Sequence, residues 1–299
     1  MGFLKDHQTE MATGVEVGFL VRILAFARKF ESCNFVFCWD SPENHRKKVF
    51  PEYKRSRSKA RAEKTPEERA MANQMFEQFA SLRQEILPAL GFRNVFYERG
   101  YESDDLIAKL LSEYQFRQKP LMVTSDNDMY QCLNFCDIYL LHRKEVFTRS
   151  AFKKEYGITP NMWAKAKAMG GCSTDGVPGI VGVADPKSKT SKALTYLRGE
   201  LNAGKIREKI ESKDGKKIVR RNLKLVRLPF DGPEFKMKLR KDRFDPMTFK
   251  FVFGALDFPS FLKKESFSQW IKCFCQQPTL KGGSAWVRTK RTKRIKRRN

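Results

Sequence analysis

Histidine is scarce in this chain: the 299 residues hold three, His7, His45 and His142, and they are dispersed. The seven cysteines are an odd number with no paired framework. Neither Cys132/Cys136 nor Cys273/Cys275 has a second Cys or His pair nearby. Zinc needs four convergent ligands, so neither a zinc centre nor a Cys–His mechanism is expected. The thiols read as reduced, which fits a cytoplasmic location. Long apolar runs are also missing: none approaches the roughly 20 residues of a membrane helix. Met1 to Gly14 is too polar for a secretory leader, so no membrane partner is expected. Acid is in short supply, with 34 Asp and Glu against 59 Lys and Arg, a net charge of +25. That excess points to a polyanionic partner, nucleic acid above all. Residues 281–299 contribute nine of the positive charges and no acid, and the rest of the chain is strongly basic without them. With 41% hydrophobic residues the body should fold rather than stay disordered.

The acid that is present is concentrated. Tyr101 to Gln131 reads YESDDLIAKLLSEYQFRQKPLMVTSDNDMYQ, with Glu102, Asp104 and Asp105 in one group and Asp126 and Asp128 in a second. Leu106, Ile107, Leu110 and Leu111 recur at helical spacing, so the first group opens an amphipathic helix. Leu121-Met122-Val123-Thr124 suits a buried strand. The second group then falls just past its carboxyl end, where open α/β sheets bind ligands. Glu102 and Asp105, three apart, are expected on one helix face, and Asp126 and Asp128 are expected to point the same way. Capping and turn chemistry explain either group alone. Both in one helix–strand unit of so basic a chain read as a metal site. Clustered carboxylates repel, a divalent cation resolves the repulsion, and hard oxygen ligands suit Mg2+ or Mn2+.

Around this centre the pattern alternates. Val15 to Phe30 predicts an amphipathic helix with Phe19, Ile23, Phe26 and Phe30 on one stripe. Phe35 to Trp39 predicts a buried strand ending at Asp40, which is either a turn cap or a further ligand. Eight Lys or Arg then fall between Arg46 and Arg61, with Phe50 and Tyr53 interleaved. This is either a solvated face or a phosphate-gripping segment whose aromatics stack bases. Thr65-Pro66-Glu67-Glu68 starts a helix expected to run to Leu87 with Met75, Phe79, Leu82 and Ile86 inward. Short strands follow at Asn94–Tyr97 and Cys136–Leu141. Strands alternating with helices predict an α/β fold, a mainly parallel sheet flanked by helices. Glycines recur from Gly170 to Gly182 between two predicted helices, where backbone N–H groups can approach a phosphate; Lys187, Lys189 and Lys192 add charge. Lys205 to Arg227 is expected to be helical in parts with Asp214-Gly215 as a turn, and Phe244 to Phe261 to be helical core. Three segments are expected: an α/β core over 1–150, a helical part over 151–280, and a basic tail over 281–299.

The motifs in combination resemble the 5′-nuclease superfamily: phage 5′–3′ exonucleases, flap endonucleases and the 5′-nuclease domain of bacterial DNA polymerase I. CWDS at Cys38–Ser41, FPEYKRSR at Phe50–Arg57, YESDDLIA at Tyr101–Ala108 and SDNDMYQ at Ser125–Gln131 carry the resemblance. STDGVPGIVGV at Ser173–Val183, followed by Lys189-Thr190, is similar to the family's helix–three-turn–helix element. The likeness spans about Gly14 to Leu228 and implies a PIN-like fold. It implies a two-metal phosphodiesterase with Mg2+ or Mn2+, acting on DNA near 5′ ends, flaps or junctions, in a bacterial or phage setting. Glu102, Asp104, Asp105, Asp126 and Asp128 match the family's metal-site acids, Asp40 more peripherally, and Asp175 matches the last acid of the helix–three-turn–helix motif. Lys54 and Arg57 match the residues at the scissile phosphate. Arg46, Tyr53, Gly179, Gly182, Lys189 and Thr190 are expected to contact DNA, with RNA the alternative polymer and a monomer the expected state.

Two features depart from the family pattern. A hydrophobic opening strand carrying an Asp is absent, Asp6 lying in a polar stretch; a shortened amino terminus is the expectation. Cys172 stands where an acid is expected, and a neutral thiol is a poor Mg2+ ligand, so the second metal site should be weakened. The alternative function is a catalytically weakened or inactive DNA-structure-binding protein on the same fold.

Overall fold

The computed structural model describes residues 13–186, 191–276 and 286–288. In chain order its elements begin with α1 (Gly14–Lys29), β1 (Phe37–Trp39), α2 (Arg46–Val49), α3 (Arg55–Ala62) and α4 (Pro66–Ser81). After a π-helical turn come α5 (Leu87–Ala89), β2 (Val95–Tyr97), α6 (Ser103–Glu113), β3 (Tyr114–Phe116) and β4 (Leu121–Thr124). A 3-10 turn over Asn127–Cys132 leads to β5 (Asp137–Leu140), β6 (Glu145–Phe147), α7 (Arg149–Tyr156) and α8 (Pro160–Gly170). The glycine-rich stretch holds β7 (Gly171–Cys172) and β8 (Val177–Pro178), and α9 (Lys192–Leu197), α10 (Lys205–Glu211) and α11 (Lys213–Val226) follow. The chain ends in α12 (Pro246–Ala255), α13 (Pro259–Leu262), α14 (Lys264–Trp270) and β9 (Trp286–Arg288). Among the described residues no helix is long and apolar enough to cross a membrane. The α/β class is borne out. The strands pair in short separate ladders, β1 with β2, β3 with β9 and β4 with β5 and β6, rather than as one sheet. The stretch ahead of Thr13, where the missing strand was expected, and most of the basic tail lie outside the described residues, as does Asp6.

Two compact units interleave along the sequence: 1–39, 63–96 and 237–284 form one, and 40–62, 97–236 and 285–299 the other. The break expected near residue 150 falls inside the second unit, because Tyr130, Phe147, Phe152 and Trp163 close one continuous aromatic core across it.

In the first unit α1 buries Leu20, Ile23, Leu24 and Ala27, a stripe turned away from the expected one. Phe26 and Phe30 stay at its edge, stacked on each other, while Phe19 packs on Phe37 and Trp39. Helix α4 starts where expected, with Thr65 and Glu68 exchanging the two hydrogen bonds of a capping box. Its inward stripe is shorter than expected: Leu82 and Ile86 are buried, but Met75 is 39% exposed. Helix α12 supplies Phe249 and Phe253 to the core, as the aromatic run suggested.

The second unit is organised by β4 and β5, which pair in parallel with Leu121 opposite Asp137 and Thr124 opposite Leu140. Parallel neighbours need a crossover of about a dozen residues. Here that crossover carries Asp126 and Asp128 past the carboxyl end of β4. The chain then closes β5 and β6 as an antiparallel hairpin. Asp214-Gly215, expected as a turn, instead forms the first turn of α11, because Ser212 caps the helix by accepting the Gly215 N–H at 3.0 Å. Only glycine fits there, since a Cβ would lie 2.0 Å from the Lys209 carbonyl oxygen.

A buried carboxyl in the first unit gives a pH signature. Asp242 accepts hydrogen bonds from the Arg93 backbone at 2.7 Å and the Asn94 side chain at 3.1 Å. Burial nevertheless pushes its pKa up to about 6. Because the folded value exceeds the unfolded one near 3.9, its contribution to stability is full below about pH 4 and is lost as pH rises through 6. Asp242→Asn is therefore expected to raise stability at pH 7.5 by roughly 1–3 kcal/mol and to lose that advantage near pH 4. Urea unfolding at the two pH values checks this; an equal gain at both would show that ionisation is not the cause.

Candidate metal centre

One cleft of about 590 Å³ in the second unit collects most of the candidate residues. Asp40, just past β1, enters it from one side. Its Oδ1 accepts the Ser103 N–H at 2.7 Å, which fastens it to the first turn of α6. That turn presents Glu102 and Asp104. Asp126 and Asp128 come from the 3-10 turn after β4, with the Asp128 N–H donating to Asp126 Oδ1 at 2.8 Å. Asp175 arrives in the turn between β7 and β8. Asp40, Asp104 and Asp126 have no cation against them among the described residues. Burial first, and then the neighbouring Asp126, Asp40 and Glu102, hold the Asp104 carboxyl well above the ordinary range. Carboxylates that line one cleft with their mutual repulsion unrelieved fit a hard divalent cation. Asp40, Asp104 and Asp126, with Glu102 beside them, would hold it.

Asp105 does not join them. It is fully buried, and both its oxygens accept from the Arg46 guanidinium, at 2.6 and 2.8 Å. Its Oδ1 also accepts the Phe230 N–H at 2.8 Å. Glu102 is the extended residue before α6, not part of it, so the three-residue spacing that aligns helical side chains does not apply to the pair. Glu102 turns to the cleft and Asp105 to the interior. Arg46, expected at the DNA surface, is only 2% exposed and also donates to the Leu225 carbonyl at 2.7 Å. Tyr53, expected to stack on bases, is 3% exposed. Its hydroxyl donates to Glu102 at 3.2 Å, and its ring lies under Arg46 and Lys54.

The basic residues that reach the cleft are Lys54 and Arg57. Lys54 ion-pairs with Glu102, and its backbone N–H donates to the Asp175 carbonyl at 2.8 Å. It sits at φ 55°, a left-handed conformation uncommon for a lysine and concentrated at functional positions. Arg57, largely exposed, pairs with Asp175 at 2.8 Å. Gly182 lies at φ 86° in an exposed turn beside exposed Val181. Gly179 is set by packing: a Cβ there would lie 2.3 Å from the Gly170 carbonyl. Lys189 and Thr190 lie outside the described residues.

One cleft residue was not foreseen. Lys167 of α8 is 2% exposed, with its Nζ 2.8 Å from Asp128 Oδ1 and 3.2 Å from Asp185 Oδ1. Burial works against its charge, but Asp128 and Asp185 outweigh it and hold its pKa above the ordinary value. The available signal was position, since Lys167 falls four residues after the buried Trp163 on a core-facing stripe. Cys172 lines the cleft too. Its thiol is pushed up by burial and therefore stays neutral, and its Sγ is 3.1 Å from the Thr174 hydroxyl.

Comparison with known proteins shows the family and the fold. The family model described as 5′-3′ exonuclease, N-terminal resolvase-like domain, matches residues 3–157. A 5′-3′ exonuclease of Bacillus subtilis is 30% identical over 174 residues, 56% of this chain and 54% of that protein. DNA polymerase I of Mycobacterium bovis is 32% identical over 182 residues, 58% of this chain and 19% of the polymerase. The chain thus spans about half of the first relative and a fifth of the second. Among solved structures, a bacteriophage T5 flap endonuclease in a pseudo-enzyme-product complex with DNA and metal ions superposes with a TM-score of 0.59. That pair shares 16% identity over 89% of this chain and 91% of that one, a likeness of fold.

Removing Arg46 would leave Asp105 buried and unpaired, so Arg46→Met is expected to cost about 3–5 kcal/mol in urea unfolding. A loss below about 1 kcal/mol would remove the pair from its structural role. Mg2+ or Mn2+ is expected to raise the Tm of the wild type, because a ligand bound only by the folded chain stabilises it. Asp104→Asn should be more stable than wild type in EDTA at pH 7.5, by relief of repulsion, and should lose the metal-induced rise. An undiminished rise in that variant would place the ion elsewhere.

Proposed function

The chain belongs to the 5′–3′ exonuclease family, and on that premise we propose that it is a divalent-metal-dependent phosphodiesterase. Its substrate on this reading is DNA carrying 5′ ends, flaps or single-strand/duplex junctions, and its metal Mg2+ or Mn2+. The observation that carries the reading is a single cleft with uncompensated carboxylates on one wall and Lys54 and Arg57 on another. Carboxylates for a hard metal and cationic side chains in one cleft suit a phosphodiester, whose non-bridging oxygens take both a metal ion and basic side chains.

A bound divalent ion would supply a Lewis acid that lowers the pKa of water and offsets charge building on the phosphate. Lys54, ion-paired with Glu102, serves as an electrophile toward a phosphate oxygen. It can swing between Glu102 and the substrate without leaving the cleft. Arg57, more exposed, can exchange its bond to Asp175 for a phosphate. Asp40, Asp104 and Asp126 form the metal-facing wall, and the backbone bond from Lys54 to Asp175 ties the basic segment to the turn between β7 and β8. The strongly positive chain draws the polyanion to this one acidic spot.

Cys172 favours a second reading, a DNA-structure-binding protein whose catalysis is weakened, because a neutral thiol replaces an oxygen ligand. Cleavage of a 5′-labelled flap duplex in Mg2+, Mn2+ or EDTA separates the two. Metal-dependent release of short 5′ products is the expected result; tight binding without products in any metal would establish the second reading. Asp126→Ala is expected to lower the cleavage rate by at least about 10²-fold with flap affinity retained, and Lys54→Ala to slow cleavage far more than it weakens binding. Normal turnover by the Asp126 variant would refute the assignment of the site.

A further inference from the structure

The carboxylates around the cleft fall into two sets by the partners they keep. Asp40 and Asp126 accept only backbone N–H groups, and Asp104 adds a third carboxylate with no cation beside it among the described residues. The other set already has cations of the protein against it. Arg57 meets Asp175, and Lys167 meets both Asp128 and Asp185.

Lys167 is not a surface lysine that happens to reach an acid. It rises from the buried stripe of α8, and its Nζ is held on a third side by the Asn127 side-chain carbonyl at 3.3 Å. Burying an ammonium is costly unless paired and hydrogen-bonded partners surround it, so a lysine built into this position needs its acids as much as they need it. The ammonium lies against Asp128, whose carboxylate converges with Cys172 Sγ and Asp175 to within 4.8 Å. A divalent ion entering that cluster would meet a fixed positive charge at close range and a thiol in place of one oxygen ligand. Both oppose it, the first by Coulomb repulsion and the second by ligand hardness.

Resting on the metal-dependent reading above, we propose that the Lys167 ammonium is a built-in cation that takes the place of a second metal ion at Asp128, Asp175 and Asp185. The cleft then binds one divalent ion, on the Asp40–Asp104–Asp126 side. Lys167 is on this view a positioning residue. It holds Asp128 and Asp185 in place and supplies a fixed positive charge, half that of a second ion, without itself needing to touch the substrate.

Counting bound ions tests this without reference to turnover. Mn2+ titrated into the full chain, followed by the electron paramagnetic resonance of free Mn2+, is expected to show one ion per chain. Lys167→Met, which keeps the volume and removes the charge, should gain a second ion, whereas Lys167→Arg should keep one. Two ions on the wild type overturn the inference while leaving the metal-dependent reading intact, and none overturns both. A single ion on a folded Lys167→Met chain also overturns it, because the ammonium would then not be what keeps the second ion out. Should the methionine variant fail to fold, the wild-type count and the arginine variant still decide: a second ion on either sinks the proposal.

Discussion

The buried pairing of Arg46 with Asp105 is the constraint on which the rest of the site depends. Its two short bonds join α2 to the first turn of α6, and the same two side chains reach the Leu225 carbonyl at the end of α11 and the Phe230 N–H beyond it. Three segments distant in sequence are thus tied at one charge-neutral point. The Arg46 guanidinium also lies 4.9 Å from the Phe230 ring centroid and 5.9 Å from that of Tyr53. A buried ion pair of this kind adds little net stability against a hydrophobic alternative, because desolvation offsets attraction. It adds geometry. With Asp105 locked inward, Glu102 and Asp104 have only the cleft to face.

Charge balance then explains the division of labour among the remaining acids. So many carboxylates around one cleft cannot all stay ionised without cations nearby. The chain supplies Lys54, Arg57 and Lys167 to some of them and, among the described residues, sets no cation against Asp40, Asp104 and Asp126. Asp104 shows the consequence in its elevated pKa, which burial causes and its acidic neighbours increase. The unsatisfied set is the part of the cleft where an external cation gains most. The satisfied set is where a cation from solution would displace one already in place.

Much of this was legible in the sequence, and the failures share a cause. The acidic groups, the strand before Asp126, the capped start of α4 and the basic YKRSR segment all follow from local patterns that the chain itself enforces. What could not be read was which way a charged residue faces. Arg46 and Tyr53 sit in a run so basic that exposure was the natural inference, yet both are buried because Asp105 and Glu102 draw them in. Asp105 was assigned to the metal by spacing, but Glu102 is an extended cap, and helical spacing begins only after it. Lys167 was overlooked among alanines on α8, for its partners Asp128 and Asp185 lie 39 and 18 residues away. Local propensity decides where elements begin; long-range pairing decides which ionisable groups they hide.

The glycine-rich turn links these two levels. Its composition invites a reading as a phosphate cradle, but most of its glycines answer a packing demand. Gly171 lies at φ 77°, and a Cβ on it would meet the Gly179 nitrogen at 2.4 Å, so the two arms of the turn touch backbone to backbone. Asn222 of α11 clamps that contact by donating to the carbonyls of Ala168 and Pro178, both at 2.9 Å. The turn cannot open without breaking buried hydrogen bonds, a cost that falls on both polar partners. Its tightness is what returns Cys172 and Asp175 to the cleft directly after α8, the helix that carries Lys167. Lys167 of α8 and the Cys172–Asp175 turn are therefore held together by one tight hairpin of chain. A substitution that loosened Gly179 would disturb the charge balance of the cleft without removing a single charge.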